Sequence, residues 1–265
     1  MSEIPVEQQT IDGIDSGVAV IGDGQPVVLL HGWGASLDTM WPVAKRLSDA
    51  GFAAHTLDFP GFGKSDLPPT SWTVPDFARW VVHYLDQANL DRVHLIGHSF
   101  GGRVSLVLGA DYPERIGRIV LSNSAGVRLP PPLRAQVALA GYRAVMGFLS
   151  LPGLKALKPT VEKRVQGFRR MLASEDYLNA GPLQETFKLV VSQDLLPFAQ
   201  RIQAPTLLFW GDQDTDTPLV AGRRLEQTIP DASLILFEGA GHYAYLDNLT
   251  QFIRVTVHFF NDGKA

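Results

Sequence analysis

The chain has no cysteine. Disulfides, thiolate nucleophiles and cysteine metal sites are therefore excluded, and a reducing, cytoplasmic location is the expectation. Positive charge is not in excess either: 23 Lys and Arg stand against 27 Asp and Glu, for a formal net charge of −4. A nucleic-acid binder would carry a basic surplus, so no nucleic-acid partner is expected. The segment Met1–Thr10 lacks the basic-then-apolar order of a secretory leader. The longest greasy stretch, Val137–Leu154, approaches the length of a membrane span, but Arg143 sits inside it and Gly141, Gly147, Pro152 and Gly153 interrupt it. Buried or site-covering helices suit it better than a transmembrane segment. No internal repeat or low-complexity tract is visible.

What is present is enough apolar material for one large core: 265 residues, 45% of them hydrophobic. Residues 7–12 and 17–21 read as short strands joined by an Asp/Gly turn. Pro26–Leu30, Phe52–Leu57, Val93–Ile96, Ile116–Ser122, Pro205–Trp210 and Ser233–Phe237 read as further strands, several continuously apolar, as burial on both faces requires. Helical segments alternate with them: Leu37–Ala50, Val74–Ala88, Arg103–Asp111, Leu219–Gln227 and Leu249–Phe260. From about Arg128 to Gln200 the alternation stops, and helical composition broken by prolines takes over.

The expectation is an α/β fold. A mostly parallel central sheet of about eight strands opens with an N-terminal antiparallel hairpin and carries helices on both faces, and a helical cap is inserted. The core takes residues 1–126 and 201–265, and the cap takes 127–200. Right-handed crossovers put the strand-end loops on one edge, where ligands bind.

One of those loops is Gly97-His98-Ser99-Phe100-Gly101. A strand, a sharp turn and a helix with serine at the apex form a nucleophile elbow. The serine backbone is strained there, and side chains two residues before and after it would collide with the neighbouring strand and helix. The hydroxyl is then exposed at a helix N-terminus, where N–H groups favour negative charge. The pentapeptide alone also fits an incidental glycine-rich turn.

A nucleophilic serine needs a base, and the base needs an orienting acid. Of the seven histidines, His55 and His94 fall within strands, while His83 and His258 fall within helices. His31 and His98 flank strand ends, and His242 stands in a loop just after the last strand, where a base belongs. The loop after Trp210 offers Asp212, Asp214 and Asp216, which also read as a solvated turn, a helix cap or a weak cation site. The order serine, acid, histidine is one of three known triad orders.

On these motifs the chain resembles the α/β-hydrolase fold family over nearly its whole length, most strongly over 25–125 and 204–260. The resemblance rests on Gly-His-Ser-Phe-Gly-Gly at 97–102, Asp58-Phe59-Pro60-Gly61-Phe62-Gly63-Lys64-Ser65, Gly211-Asp212-Gln213-Asp214 and Gly241-His242. It implies a Ser99, Asp214, His242 triad, with Asp212 as the fallback acid. It also implies an oxyanion hole made by the backbone N–H groups of Trp33, in His31-Gly32-Trp33-Gly34, and of Phe100. No metal or organic cofactor is implied. His31, His98, Tyr142, Met146 and Tyr243 are candidate pocket residues, although His31 also reads as a brace for its loop.

The partner expected is a small-molecule ester or acyl compound. The leading reading is a carboxylesterase for small to medium apolar esters, working through an acyl-enzyme. Its rival is a hydrolase of carbon–carbon bonds in ring-opened aromatic metabolites. That group typically shows Gly-Asn-Ser-Met-Gly-Gly and a tryptophan after its histidine, where this chain has His98, Phe100 and Tyr243. A third reading is a ligand receptor on the same fold. Residues 127–200 hold ten basic and five acidic side chains, which is either a solvated helix surface or a means of holding an acidic substrate.

Overall fold

Apolar, β-branched runs punctuated by glycine set the strands, and the computed structural model describes them within residues 4–130, 133–149 and 178–262. The strands are β1 (Glu7–Ile11), β2 (Ile14–Ile21), β3 (Gln25–Leu30), β4 (Phe52–Leu57), β5 (Val93–His98), β6 (Ile116–Ser122), β7 (Thr206–Gly211) and β8 (Ala232–Phe237). They form one eight-stranded sheet in the order β1-β2-β4-β3-β5-β6-β7-β8. β1 and β2 make the expected hairpin, β2 runs antiparallel to β4, and the remaining pairings are parallel.

Two boundaries differ from the sequence reading. β2 starts three residues early because Asp12 and Gly13 close the hairpin alone, at φ 50° and 77°. Two left-handed residues match the right-handed twist of the strands. The helix after the elbow starts at Phe100, so Ser99 itself serves as its N-cap.

The helices are α1 (Trp41–Asp49), α2 (Val74–Gln87), α3 (Phe100–Asp111), α4 (Leu133–Phe148), α5 (Gln184–Ser192), α6 (Leu196–Ala199), α7 (Leu219–Thr228), α8 (Ala244–Asp247) and α9 (Leu249–Asn261). None of the described helices is long and apolar enough to cross a membrane. Strand pleating divides the core. Val27, Leu29, Ala54, Ile96, Val120 and Phe209 pack in one cluster with Trp41, Val43 and Leu47 of α1 and Phe252 and Phe260 of α9. The alternate residues Val28, Leu30, Leu95, Leu121 and Leu208 are as deeply buried, and the pleat turns them to the opposite face, where α2 and α3 pack together.

The chain divides into two compact units, Met1–Arg128 with Pro182–Ala265, and Leu129–Gly181. Residues 182–200 therefore fold with the sheet. The Trp72 N–H donates to Thr186 Oγ1 at 3.1 Å, the Val74 N–H donates to Gln193 Oε1 at 2.9 Å, and Arg103 donates to the Val190 carbonyl at 3.0 Å. In the second unit α4 exposes Val145 and Phe148, and Leu149 behind it is buried. The basic residues from Lys155 to Arg170 lie outside the described residues.

Candidate active site

Parallel strands deliver their carboxyl ends to one edge. His31 follows β3, Ser99 follows β5, Asn123 follows β6, Asp214 follows β7 and His242 follows β8. Since these strands are consecutive in the sheet, the sheet order itself lines up these loops.

Ser99 sits at φ 48° and ψ −106°, a left-handed conformation that costs on the order of 1–3 kcal/mol for a non-glycine residue. Its N–H donates to the Ser122 carbonyl at 3.2 Å, and its carbonyl accepts from Ala125 at 3.1 Å and Arg103 at 3.2 Å. The glycines on either side allow this close doubling back. A Cβ on Gly97 would lie 2.6 Å from the Gly101 carbonyl oxygen, and one on Gly101 would strike the Leu30 carbonyl.

The loop after β3 closes over this turn, and the Gly101 N–H donates to the His31 carbonyl at 2.9 Å. Neither the Trp33 N–H nor the Phe100 N–H has an acceptor among the described residues. The Trp33 ring meets Phe62, Phe100 and Phe187 edge-on, at centroid distances of 4.9, 5.3 and 5.1 Å. His31 is fully buried. Its Nε2 accepts from the Phe59 N–H at 3.1 Å, so Nδ1 carries the proton and donates to the Gly32 carbonyl at 2.7 Å. Burial lowers its pKa to about 4. Both ring nitrogens serve the backbone, which is the arrangement of a loop brace and leaves none for a ligand.

Asp58 anchors the same loops from beneath. Its carboxylate accepts from the Leu37 N–H at 2.7 Å and the Lys64 N–H at 2.8 Å, and burial pushes its pKa up. The Asp58–Ser65 segment picked out in the sequence thus braces the loop that follows β3, through Asp58 to Leu37 and through Phe59 to His31.

On the other side, His242 Nδ1 lies 2.9 Å from Asp214 Oδ2. A carboxylate oxygen can only accept, so Nδ1 carries the proton and Nε2 is the ring nitrogen left to serve as a candidate base. Asp214 is 5% exposed. Its Oδ1 accepts from the N–H groups of Asp216 and Thr217 at 2.8 and 2.9 Å. Its Oδ2 also accepts from Asn123 Nδ2 and from the Thr217 hydroxyl, each at 2.6 Å. Burial alone would raise its pKa. The bonds from His242, Thr217 and Asn123 outweigh burial and hold the carboxyl well below the usual range.

Asp212, the fallback acid, is exposed and instead accepts from the Gly239 N–H at 2.7 Å. Asp214, Asp216 and His242 also bring one potential ligand atom each within 4.8 Å of one another. The His242 contact and the donors around Asp214 already commit both Asp214 oxygens to hydrogen bonds.

His98 is buried beneath His242, and Tyr243 is 40% exposed. Tyr142 and Met146 lie on α4 in the second unit, both half-buried. Sequence reasoning missed Asn123 and Thr217. The available signal was a polar run, Ser122-Asn123-Ser124, at the correct end of an apolar strand. Asn123 shares the left-handed conformation of Ser99, at φ 48°.

This sheet, elbow and strand-end pairing define a class, and the chain belongs to the alpha/beta hydrolase fold family, which matches it over residues 25–249. Among its relatives, a 2-hydroxy-6-oxo-6-phenylhexa-2,4-dienoate hydrolase of Burkholderia cepacia is 28% identical over 91% of this chain and 90% of its own. A 2-hydroxy-6-oxononadienedioate/2-hydroxy-6-oxononatrienedioate hydrolase of Escherichia coli O139:H28 is 30% identical over 89% and 86%. The crystal structure of a hydrolase from Pseudomonas aeruginosa PA01 matches with a TM-score of 0.72 at 26% identity, covering 96% of this chain and 98% of that one.

Proposed function

We propose that this protein hydrolyses a carbon–carbon bond in 2-hydroxy-6-oxo-dienoates, the ring-opened products of aromatic compounds, using Ser99, His242 and Asp214. The observation that carries the reading is that relatives with that activity in their names match about nine-tenths of both chains, while the residues a serine hydrolase needs meet at one sheet edge. The reading reverses the order of preference drawn from the sequence, where the ester substrate led.

The chemistry follows from the geometry. His242 Nε2 takes the Ser99 proton as Oγ attacks the C6 ketone. The tetrahedral oxyanion is held by the N–H groups of Trp33 and Phe100, which have no acceptor among the described residues. Attack is on the keto tautomer, in which the 2-hydroxyl proton has moved to C5. When the carbonyl reforms, the C5–C6 bond breaks and its electron pair is delocalised through C3=C4 onto the 2-oxo oxygen, which makes carbon a feasible leaving group. That fragment receives the proton from His242. Water, activated by His242, then frees the acyl group from Ser99. Asp214 holds the imidazole in its working tautomer throughout. The excess of basic side chains in residues 127–200 suits a substrate that carries a carboxylate.

A second reading keeps the same machinery on carboxylic esters, with an alcohol as leaving group. His98, Phe100 and Tyr243 favour it, since they depart from the pattern typical of carbon–carbon hydrolases. One experiment separates the two: a ring-fission dienoate, followed by loss of its visible absorbance, run beside a p-nitrophenyl ester chain-length panel. A higher kcat/KM for the dienoate is expected. Turnover of esters alone would decide for the second reading.

A further inference from the structure

His98 stands directly before the nucleophile, yet its side chain turns away from the reacting edge. It is 1% exposed. Its Nε2 lies 3.0 Å from the backbone carbonyl oxygen of His242. A carbonyl can only accept, so Nε2 carries the proton and donates. The ring is packed among His242, Tyr243 and Tyr245 at centroid distances of 4.8, 4.7 and 5.0 Å. On its far side, Nδ1 has no hydrogen-bond partner among the described residues and faces the loop after β3, and a Cβ built on Gly32 would lie 3.0 Å from Nδ1 and 3.5 Å from Ser99 Cβ. One flat ring therefore spans the gap between the loop after β3 and the loop of the base.

That placement matters because the His242 carbonyl belongs to a glycine-containing loop, and His98 bonds to it directly. The loop contains Gly239, at φ 74°, and Gly241. It is tied on either side of His242, by the Gln213 N–H to the Ala240 carbonyl at 3.0 Å and the Leu246 N–H to the Tyr243 carbonyl at 2.8 Å, while the ties at Gly241 are long, at 3.3 Å from Asn123 Nδ2 and 3.4 Å to Asp247. Asp214 orients the imidazole but does not hold the main chain that carries it. Burial, and then the neighbouring His242, lower the His98 pKa to about 3, so it stays a neutral donor across the working range of pH. The Nδ1 atom is a standing cost, because a buried acceptor without a donor has lost its water and gained nothing in return. A leucine of similar size would avoid that cost but could not donate to the carbonyl.

We propose that His98 is a positioning residue: by donating Nε2–H to the His242 carbonyl, it fixes the distance between the base and the adjacent nucleophile. The assignment rests on Ser99 and His242 acting as nucleophile and base. It also makes a stereochemical demand. Glutamine places its amide nitrogen near the position of histidine Nε2, whereas asparagine places its own near Nδ1. Glutamine therefore substitutes for His98 and asparagine does not.

The test is the rate at which an active-site fluorophosphonate labels Ser99, followed by intact-protein and peptide mass spectrometry over a range of reagent concentration. Wild type labels at Ser99, and Ser99→Ala does not. His98→Leu loses about tenfold to hundredfold in maximal labelling rate, the scale of a misplaced catalytic group, with the half-saturating concentration unchanged. His98→Gln recovers most of that rate, and His98→Asn stays slow. Wild-type rates in a folded His98→Leu protein would overturn the proposal while leaving the serine mechanism standing. So would equal rates for the Gln and Asn variants, a comparison that decides the matter even if His98→Leu does not fold. Label elsewhere than Ser99, or none in the wild type, would overturn the serine mechanism and this assignment with it.

Discussion

The two halves of the candidate site are held by opposite means. Around Ser99 the backbone is strained at φ 48° and the Phe100 and Trp33 N–H groups are left without acceptors among the described residues. Around Asp214 every lone pair in reach is used: His242, Asn123, the Thr217 hydroxyl and two backbone N–H groups converge on one carboxylate. The difference is what the proposed serine mechanism asks of each half. An oxyanion hole works only if its donors are unspent and preorganised before charge develops. An orienting acid works only if it stays ionised and cannot turn, which a saturated, buried carboxylate achieves. The nucleophile side stores strain, and the acid side satisfies it.

The largest expected effect lies on the strained side. Ser99→Ala removes the attacking oxygen and leaves the elbow backbone free to form. In purified enzyme it lowers kcat on the best substrate of the dienoate and ester panel by about 10⁶-fold, as loss of a serine nucleophile does elsewhere. Residual turnover within tenfold of wild type would rule out a serine mechanism.

Next in size is the acid. Asp214→Asn puts an amide where the Asn123 and Thr217 donors need an acceptor, and it lets His242 adopt the wrong tautomer. A loss of about 10⁴-fold in kcat accompanies that exchange in serine-protease triads. Asp212→Asn touches only the exposed tie to Gly239 and leaves the rate near wild type. Steady-state kinetics of the two variants side by side checks the choice, and equal losses would reject it.

The same contrast explains what could be read from the sequence. The strained half is written in residue types. Only glycine tolerates the contacts at Gly97 and Gly101, so the elbow announces itself locally. The alternation of apolar runs likewise announces the parallel sheet, because strands buried on both faces must be apolar throughout. The satisfied half is written in three-dimensional coincidence. Asn123 and Asp214 are 91 positions apart and meet only because β6 and β7 are neighbours. Nothing in Leu121-Ser122-Asn123-Ser124 names a partner. His98 illustrates the same limit from the other direction. Its place beside the nucleophile made it a pocket candidate, while its ring is buried against the base loop.

Asn123 supplies an intermediate effect. Asn123→Ala removes one donor from Asp214 and the tie to the Gly241 carbonyl, while His242 and Thr217 remain. Stability at pH 7 falls by about 1.5–3 kcal/mol, the range for a hydrogen bond to a charged group, and kcat falls less than in Asp214→Asn. Denaturant unfolding with an unchanged m-value checks the first part, and a stability equal to wild type would mean the bond contributes nothing.

The last effect is graded, and it separates the two halves by pH. His31 and His98 beneath the oxyanion and base loops, and His55 bonded to Tyr84 elsewhere in the sheet, have pKa values lowered by burial from 6.5 to about 4, 3 and 4. Between 6.5 and about 4 the unfolded chain therefore binds protons that the folded chain does not. Stability contributed by these neutral histidines is full above 6.5 and is lost as pH falls toward 4, by about 1.4 kcal/mol per pH unit for each one that stays unprotonated in the fold. Asp214 behaves differently. Its depressed carboxyl contributes stability that is retained through that window and lost only below the ordinary aspartate value of 3.8. Urea unfolding measured at intervals from pH 7.5 to 4.5 should thus show a steady decline owed to histidines. His31→Gln should make it shallower by about one histidine's share, while Asp214→Asn, whatever it does to overall stability, should leave the slope in that window unchanged. A flat profile between 6.5 and 4.5 would show that these buried rings take up protons without cost, and that the loops they support are not held in the way their hydrogen bonds imply.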